Sequence, residues 1–154
     1  SNTIYTISSN GKLDTAYEWD FGKYNNQKMT LESTTENIAH LSQKVFSSEI
    51  VNYIFQMNGG NDTYHYARIY RKNKGINIFY HKEEKYYFIF EYFSEGATIP
   101  PVYWTNAYIV GTLDEDEKTE RILPESILTE KNKEIINNLN EFDNPVLIMY
   151  YFKN

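Results

Sequence analysis

Cysteine is absent from this chain, and so is any long apolar run. The lack of cysteine excludes disulfides, thiolate metal ligands and a cysteine nucleophile. No apolar run approaches the roughly 20 residues that cross a bilayer as a helix, and no charged–apolar–small signal pattern begins the chain. These absences predict a soluble protein without a membrane partner. They favour a reducing, cytoplasmic compartment, although exported proteins can also lack cysteine, so export stays open.

The short motifs of common enzyme classes are missing as well. No Gly-x-Ser-x-Gly segment is present, which argues against the nucleophile elbow of a serine hydrolase. Gly59-Gly60 has no lysine at the spacing of a phosphate-binding loop. We therefore expect no cofactor, and we favour a binding protein over an enzyme.

The length and the charge distribution of the chain are informative. With 154 residues, the chain is expected to form one domain over 1–154. Aromatic residues reach 17% of the sequence, which suits both sheet cores and contact surfaces. The net charge of −6 is local, because residues 113–143 hold ten acidic and four basic side chains.

The order of apolar patterns along the chain predicts an α+β fold. We expect a largely antiparallel sheet of about six to seven strands, with two or three helices packed on one face. The predicted order is a hairpin turning at Asn10-Gly11, a helix over 32–46 with a Ser33–Glu36 capping pair, strands at 63–71, 76–81, 86–93 and 102–113, a helix capped by Thr129, and a last strand over 146–152.

Two segments carry more specific expectations. Residues 48–57 fit either a helix or a strand, and we favour a helix that ends at Gly59-Gly60. The strand over 86–93 is apolar on both faces, which predicts a central position in the sheet. Its Tyr86, Phe88, Phe90 and Tyr92 side chains are expected to pack on the helices.

The histidines offer one candidate catalytic arrangement. If the hairpin after residue 71 centres on Asn73, His65 and His81 lie opposite each other, with Lys82 beside them. Such a group could cleave a phosphodiester, and with a carboxylate it could hold a metal. A register slip of one residue separates the two rings. We therefore favour two half-exposed sheet histidines, and we predict no catalytic residue and no metal site here.

Nucleic-acid binding is a weaker alternative. Six basic residues are interleaved with tyrosines, as in stacking sheets: Arg68, Arg71, Lys72, Lys74, Lys82 and Lys85. The sequence pI of about 5.1 opposes binding to phosphates. We expect these bases to lie in hairpin turns, where they protect sheet edges from pairing.

An acidic segment next to aromatic residues is the candidate binding surface. Its members are Asp114, Glu115, Asp116, Glu117 and Glu120, with Trp104 and Tyr108 just before them. Charge can speed the encounter with a basic protein partner, and buried rings can supply affinity. The alternative is that this run of charges between two elements is only a solvated loop.

The size, the acidity and the Asn/Lys/Tyr-rich composition of the chain resemble bacterial immunity proteins of polymorphic-toxin and contact-dependent growth inhibition systems. The resemblance implies a bacterial, cytoplasmic toxin inhibitor whose acidic surface covers a basic, nuclease-type cognate toxin. Two alternatives stay open: a small RNase or hydrolase that uses His65 and His81, and an exported domain that binds a ligand or a host protein. A homodimer is also compatible with the sequence.

Overall fold

The structure is a computed structural model that describes residues 2–25, 38–93, 101–113, 123, 125–140 and 144–152. Short 3₁₀ helices lie at Gly22–Tyr24 and Glu125–Ile127, and the α-helices are α1 (Ile38–Ser47) and α2 (Glu130–Asn137). The strands in this part of the chain are β1 (Thr3–Ile7), β2 (Leu13–Glu18), β3 (Tyr53–Gly60), β4 (Tyr64–Arg71), β5 (Lys74–His81), β6 (Tyr87–Phe90), β7 (Pro101–Trp104), β8 (Tyr108–Leu113) and β9 (Val146–Tyr151).

The strands form three sheets within the described ranges. We call β1-β2 the N-terminal hairpin, β3-β4-β5-β6 the central sheet and β7-β8-β9 the third sheet. Every strand pair is antiparallel. The fold prediction is confirmed in its coarse form, as mostly antiparallel β-sheets with two short helices. The expectation of one sheet with six to seven strands is wrong, because strand pairing is interrupted after β2 and again after β6. A single domain over 1–154 stays a prediction.

Both helices lie where the sequence placed them, within the described residues. α1 covers the second part of the predicted helix, and its Phe46 ring packs 4.9 Å from the ring of Tyr70. The Ser33–Glu36 pair lies outside the described residues. Thr129 caps α2 as predicted, with its side chain accepting a hydrogen bond from the Asn132 N–H at 3.2 Å.

Segment 48–57 is the first local correction. The helix prediction is wrong, because Tyr53–Gly60 forms β3 and pairs with β4. Aromatic and β-branched residues in this segment suit a pleated strand. Gly59 is required by close packing, since a Cβ there would lie 2.7 Å from Cδ1 of Tyr66. The two glycines therefore end a strand rather than a helix.

The third sheet and β6 correct two further expectations. The single strand predicted over 102–113 is a hairpin, β7-β8, which turns at 105–107. The prediction that 86–93 forms a central strand is also wrong, because β6 is the last strand of the central sheet. Phe88 is 49% exposed and Tyr92 is 57% exposed, so this face is not a helix-covered core.

Two apolar clusters cover opposite faces of the central sheet. Alternation along β4 and β5 sends neighbouring side chains to different faces. One face carries Val51, Ile69 and Ile78, packed against Trp19, Phe21 and Tyr24 from the chain after the N-terminal hairpin. The other face carries Tyr66 and Phe79, packed against Ile109, Trp104 and Tyr150 of the third sheet. The central sheet is thus the middle layer of the described structure.

Candidate functional site

The two candidate histidines do not lie opposite each other. The hairpin turns at Lys72-Asn73, and its register pairs His65 with Tyr80 and Tyr64 with His81. His65 and His81 therefore point to opposite faces of the central sheet. The juxtaposition that the catalytic alternative requires is missed by one residue of register, because the strands continue to Arg71 and Lys74 and leave only two residues for the turn.

His81 stabilises the turn that follows β5, whereas the Lys82 side chain bonds to the turn between β3 and β4. The Nδ1 atom of His81 accepts a hydrogen bond from the Glu84 N–H at 3.2 Å, and its ring lies 5.0 Å from that of Tyr86. The Nζ atom of Lys82 donates to the main-chain carbonyl of Asn61. Within the described ranges, no group of three His, Asp or Glu side chains could hold a metal ion.

The predicted partner-binding residues are placed only in part. Trp104 lies between the central and third sheets, with its ring 5.0 Å from Tyr66 and 5.4 Å from Phe79. Tyr108 packs beside Tyr151 at 5.7 Å between ring centres. Asp114, Glu115, Asp116, Glu117 and Glu120 lie outside the described residues. The role of this set in binding stays a prediction.

A groove of about 850 Å³ lies on one face of the central sheet, beside the end of the N-terminal hairpin and the chain that follows it. We call it the aromatic groove. Its aromatic lining consists of Tyr17, Trp19, Phe21, Tyr24, Tyr80 and Tyr87. Its floor is aliphatic and consists of Val51, Ile69, Ile76 and Ile78. A concave, largely apolar site with a few polar groups is the usual form of a ligand pocket.

Several rings of the groove contact one another. Trp19 and Phe21 are two residues apart between β2 and the first 3₁₀ helix, and their rings are parallel to within 1° with centres 6.5 Å apart. Across the groove, the Tyr17 ring lies 4.0 Å from His65, and His65 lies 6.4 Å from Tyr80. The contact between Tyr17 and His65 joins the hairpin to the central sheet.

Burial and two lysines set the protonation of His65. Burial lowers its pKa below the usual value, and the positive charges of Lys82 and Lys85 lower that pKa further. The imidazole therefore stays neutral at pH values where an exposed histidine would begin to charge. A neutral ring can both donate and accept a hydrogen bond, so His65 is a polar group suited to an uncharged part of a ligand.

Charged groups line the groove with both signs. Arg71 lies over the Tyr24 ring at 3.9 Å, and Lys85 lies 6.0 Å from the centre of the Tyr80 ring. Glu18 and Asp20 lie on the hairpin side. A backbone hydrogen bond from Gly22 and a side-chain bond from Asn25 lower the pKa of Asp20. The groove therefore has balanced rather than strongly anionic or cationic walls.

One side of the groove is formed by the edge strand β6. Tyr87 and Ile89 point toward the groove, since they pair with Tyr80 and Ile78 of β5. They are 65% and 59% exposed, respectively. Exposed large apolar side chains beside a concave surface are typical of an interaction site.

Comparison with known proteins gives the family. A sequence model of the family DUF5128, described as 6-bladed beta-propeller, matches residues 1–99. The chain belongs to this propeller family. A crystal structure from Bacteroides fragilis, described as that of a candidate exported protein, is similar with a TM-score of 0.57 and 13% sequence identity. The match covers 99% of this chain and 45% of that chain, so this chain spans less than half of the relative's length. No curated protein matches the chain.

Membership of the propeller family corrects the predicted resemblance to immunity proteins. That resemblance rested on size and composition, and the family match contradicts it. The sheets agree with the family, because propeller blades are antiparallel four-stranded sheets and β3–β6 has this form. Within the described ranges, no helix is long and apolar enough to span a membrane.

The aromatic groove was not predicted from the sequence. One signal was available, since Tyr17, Trp19 and Phe21 recur at every second residue, a spacing that predicts a shared face in an extended chain. Their partners His65, Tyr80 and Tyr87 belong to other strands. Only the register of the central sheet brings these distant residues together.

Proposed function

We propose that this chain is part of an exported binding protein of the propeller family and that the aromatic groove is its ligand-binding surface. The observation that supports the proposal is the groove itself, which combines an aliphatic floor with six aromatic side chains and the neutral imidazole of His65. Export is proposed from the relative in Bacteroides fragilis, which is described as a candidate exported protein. Fractionation of the source bacterium tests this part.

The proposal includes an arrangement of the sheets. The central sheet is a complete four-stranded blade, and the N-terminal hairpin and the third sheet are parts of the blades on either side. Face-to-face packing supports this view, because the two apolar clusters lie on opposite faces of β4-β5. The groove then lies between two neighbouring blades, where a ligand can contact both.

Binding is favoured over the RNase alternative by the positions of the histidines. A two-histidine cleavage needs both rings near one phosphate, within hydrogen-bond reach of the reacting atoms. His65 and His81 lie on different faces of the central sheet, and the Nδ1 atom of His81 already accepts a hydrogen bond from Glu84. The geometry therefore supports His65 as a ligand contact rather than as half of a catalytic pair.

The binding proposal is tested by thermal unfolding with a panel of ligand classes. The panel contains neutral oligosaccharides, fatty acids and short apolar peptides, each added to the 154-residue protein. A ligand of the groove should raise the unfolding midpoint, because a ligand at 100 times its Kd adds about 2.7 kcal/mol to the stability of the folded state. The shift should be lost in Tyr87→Ala, whose 65% exposed ring faces the groove.

The matched control is Leu147→Ala on β9, where the side chain is also 65% exposed but is not part of the groove lining. This variant should keep the full ligand-induced shift. A panel that leaves the midpoint unchanged, or a shift of equal size in Tyr87→Ala, would contradict the proposal.

A further inference from the structure

The edge strand β6 has an unusual composition for its position. Among the described residues it pairs with β5 alone, and its sequence is Tyr-Phe-Ile-Phe over residues 87–90. Edge strands present unpaired main-chain donors and acceptors, and natural proteins usually protect them with lysines, prolines or bulges. β6 carries none of these devices, and its pairing with β5 is regular from Asn77↔Phe90 to Tyr80↔Tyr87.

Three of the four side chains of β6 are exposed, and they lie on both faces of the central sheet. Tyr87 and Ile89 on the groove face are 65% and 59% exposed, and Phe88 on the other face is 49% exposed. Two charged neighbours of β6 already have partners, although Lys85 also lines the groove. Lys74 holds Glu91 at 2.8 Å, and the Nζ atom of Lys85 donates to the carbonyl of Lys82. Nothing in the composition of this edge opposes pairing with another strand.

Side chains that lie beside each other on neighbouring strands form rows across the central sheet, and these rows end at β6. One row on the groove face runs from His65 to Tyr80 to Tyr87, and the next runs from Ala67 to Ile78 to Ile89. Directly opposed aromatic and β-branched side chains stabilise neighbouring strands. A further strand beside β6 would add one residue to each row, and those side chains would extend the lining of the aromatic groove.

We infer that β6 is a strand-addition site and that its ligand is an extended polypeptide segment with apolar residues at alternate positions. The main chain of the segment would hydrogen-bond to the outer edge of β6, and its alternate side chains would lie beside Tyr87 and Ile89. This mode of recognition takes affinity from the ladder and specificity from the side-chain pockets. The inference rests on the proposed function, because it names the ligand class of the same groove.

The probe is a fluorescein-labelled peptide, Lys-Thr-Val-Tyr-Val-Thr-Lys, and the readout is fluorescence anisotropy with the 154-residue protein. We expect saturable binding that weakens by about tenfold or more when alternate peptide nitrogens are methylated, because methylation removes ladder donors without removing apolar surface. Amide hydrogen exchange in 87–90 should slow when the unmethylated peptide is bound.

The protein variant Ile89→Lys places a charge on the edge and should weaken peptide binding by about tenfold or more. Ile7→Lys on β1 is the matched control, since Ile7 is 72% exposed and lies outside the groove lining, and it should bind as the wild type does. The hydrogen-exchange measurement uses the unmodified protein, so it stays decisive even if Ile89→Lys folds poorly.

The outcomes separate the two proposals. Equal binding of the methylated peptide, or unchanged exchange in β6, would overturn strand addition. If an oligosaccharide or a fatty acid raises the unfolding midpoint while the peptide does not bind, the groove is a ligand site and only the inference about its ligand is wrong. If neither the panel nor the peptide binds, both proposals are wrong.

Discussion

Tyr66 and Asn77 form a buried polar pair on the face of the central sheet that also carries the buried side chain of Arg68. Both residues are 0% exposed, and the Tyr66 hydroxyl donates to Oδ1 of Asn77 at 2.7 Å. The Asn77 amide nitrogen donates to the carbonyls of Phe90 and Glu91, so the pair also fixes the end of β6. Burial raises the pKa of Tyr66 well above its usual value, so the hydroxyl keeps its proton. Buried polar groups of this kind need their partners.

Removal of the Tyr66 hydroxyl should therefore be costly. Tyr66→Phe keeps the ring but leaves Oδ1 of Asn77 without that donor, which we expect to lower the free energy of unfolding by about 1–3 kcal/mol. Urea denaturation followed by circular dichroism measures the change. The control is Tyr5→Phe. Tyr5 is 53% exposed, so water can bond to any group that loses the hydroxyl as a partner. A similar loss in both variants would show that the buried hydrogen bond is not the cause.

The β4-β5 hairpin shows what an element contributes to the site. Lys72 and Asn73 have φ angles of 53° and 60°, which is the backbone of a two-residue type I′ turn. This turn fixes the pairing of every residue from Tyr64↔His81 to Arg71↔Lys74. The presence of the hairpin could be read from alternation in the sequence. Its register could not, because Lys72 is an unusual first residue for this turn and the neighbouring Lys74-Gly75 pair also suits a turn.

Substitution of Asn73 tests the turn. Asn73→Ala should lower the free energy of unfolding by about 1 kcal/mol, because residues other than Gly, Asn and Asp pay that cost at positive φ. Asn73→Gly should change it by less than about 0.5 kcal/mol. Both variants keep the main-chain N–H that donates to the Phe46 carbonyl. Thermal and chemical denaturation of the three proteins provide the comparison, and equal stability of the Ala and Gly variants would contradict the assigned turn.

At the scale of the whole molecule, two turns join the central sheet to the third sheet. The Asn61 amide donates to the Thr105 carbonyl at 2.9 Å, and its Oδ1 atom accepts from the Thr63 and Tyr64 N–H groups at 3.0 Å and 2.8 Å. Asn106 bonds to Asp62 across the same junction. The half-buried side chain of Asn61 thus stabilises its own turn and also bonds to the third sheet.

Asn61→Ala should therefore loosen the third sheet. Loss of one donor and two accepted bonds is expected to lower the free energy of unfolding by about 2 kcal/mol. Hydrogen exchange should quicken in β7 and β8. Asn106→Ala removes only exposed bonds at the same junction and should cost less than about 1 kcal/mol. A larger effect in Asn106→Ala than in Asn61→Ala would show that the exposed pair, rather than Asn61, holds the sheets together.

The sequence predicted strands and helices better than it predicted their assembly. Alternation located most strands, and Thr129 marked the start of α2, because these signals lie within a few residues of each other. The way in which the sheets pack together depends on contacts such as that between Asn61 and Thr105, which are 44 residues apart. The central position predicted for residues 86–93 was wrong for a related reason. An apolar edge strand and an apolar core strand have the same pattern, and only the sheet order tells them apart.

The placement of the two tryptophans gives the molecule two separate optical reporters. Both tryptophans are half-buried. Trp104 packs against Tyr66 and Phe79, and its indole N–H is buried with no acceptor among the described residues. Trp19 lies in the wall of the aromatic groove. Indole emission shifts to longer wavelength as water gains access to the ring, so Trp104, whose N–H is shielded from water, should give the bluer component and Trp19 the redder one. Iodide should quench the red component first, and occupation of the groove should protect it.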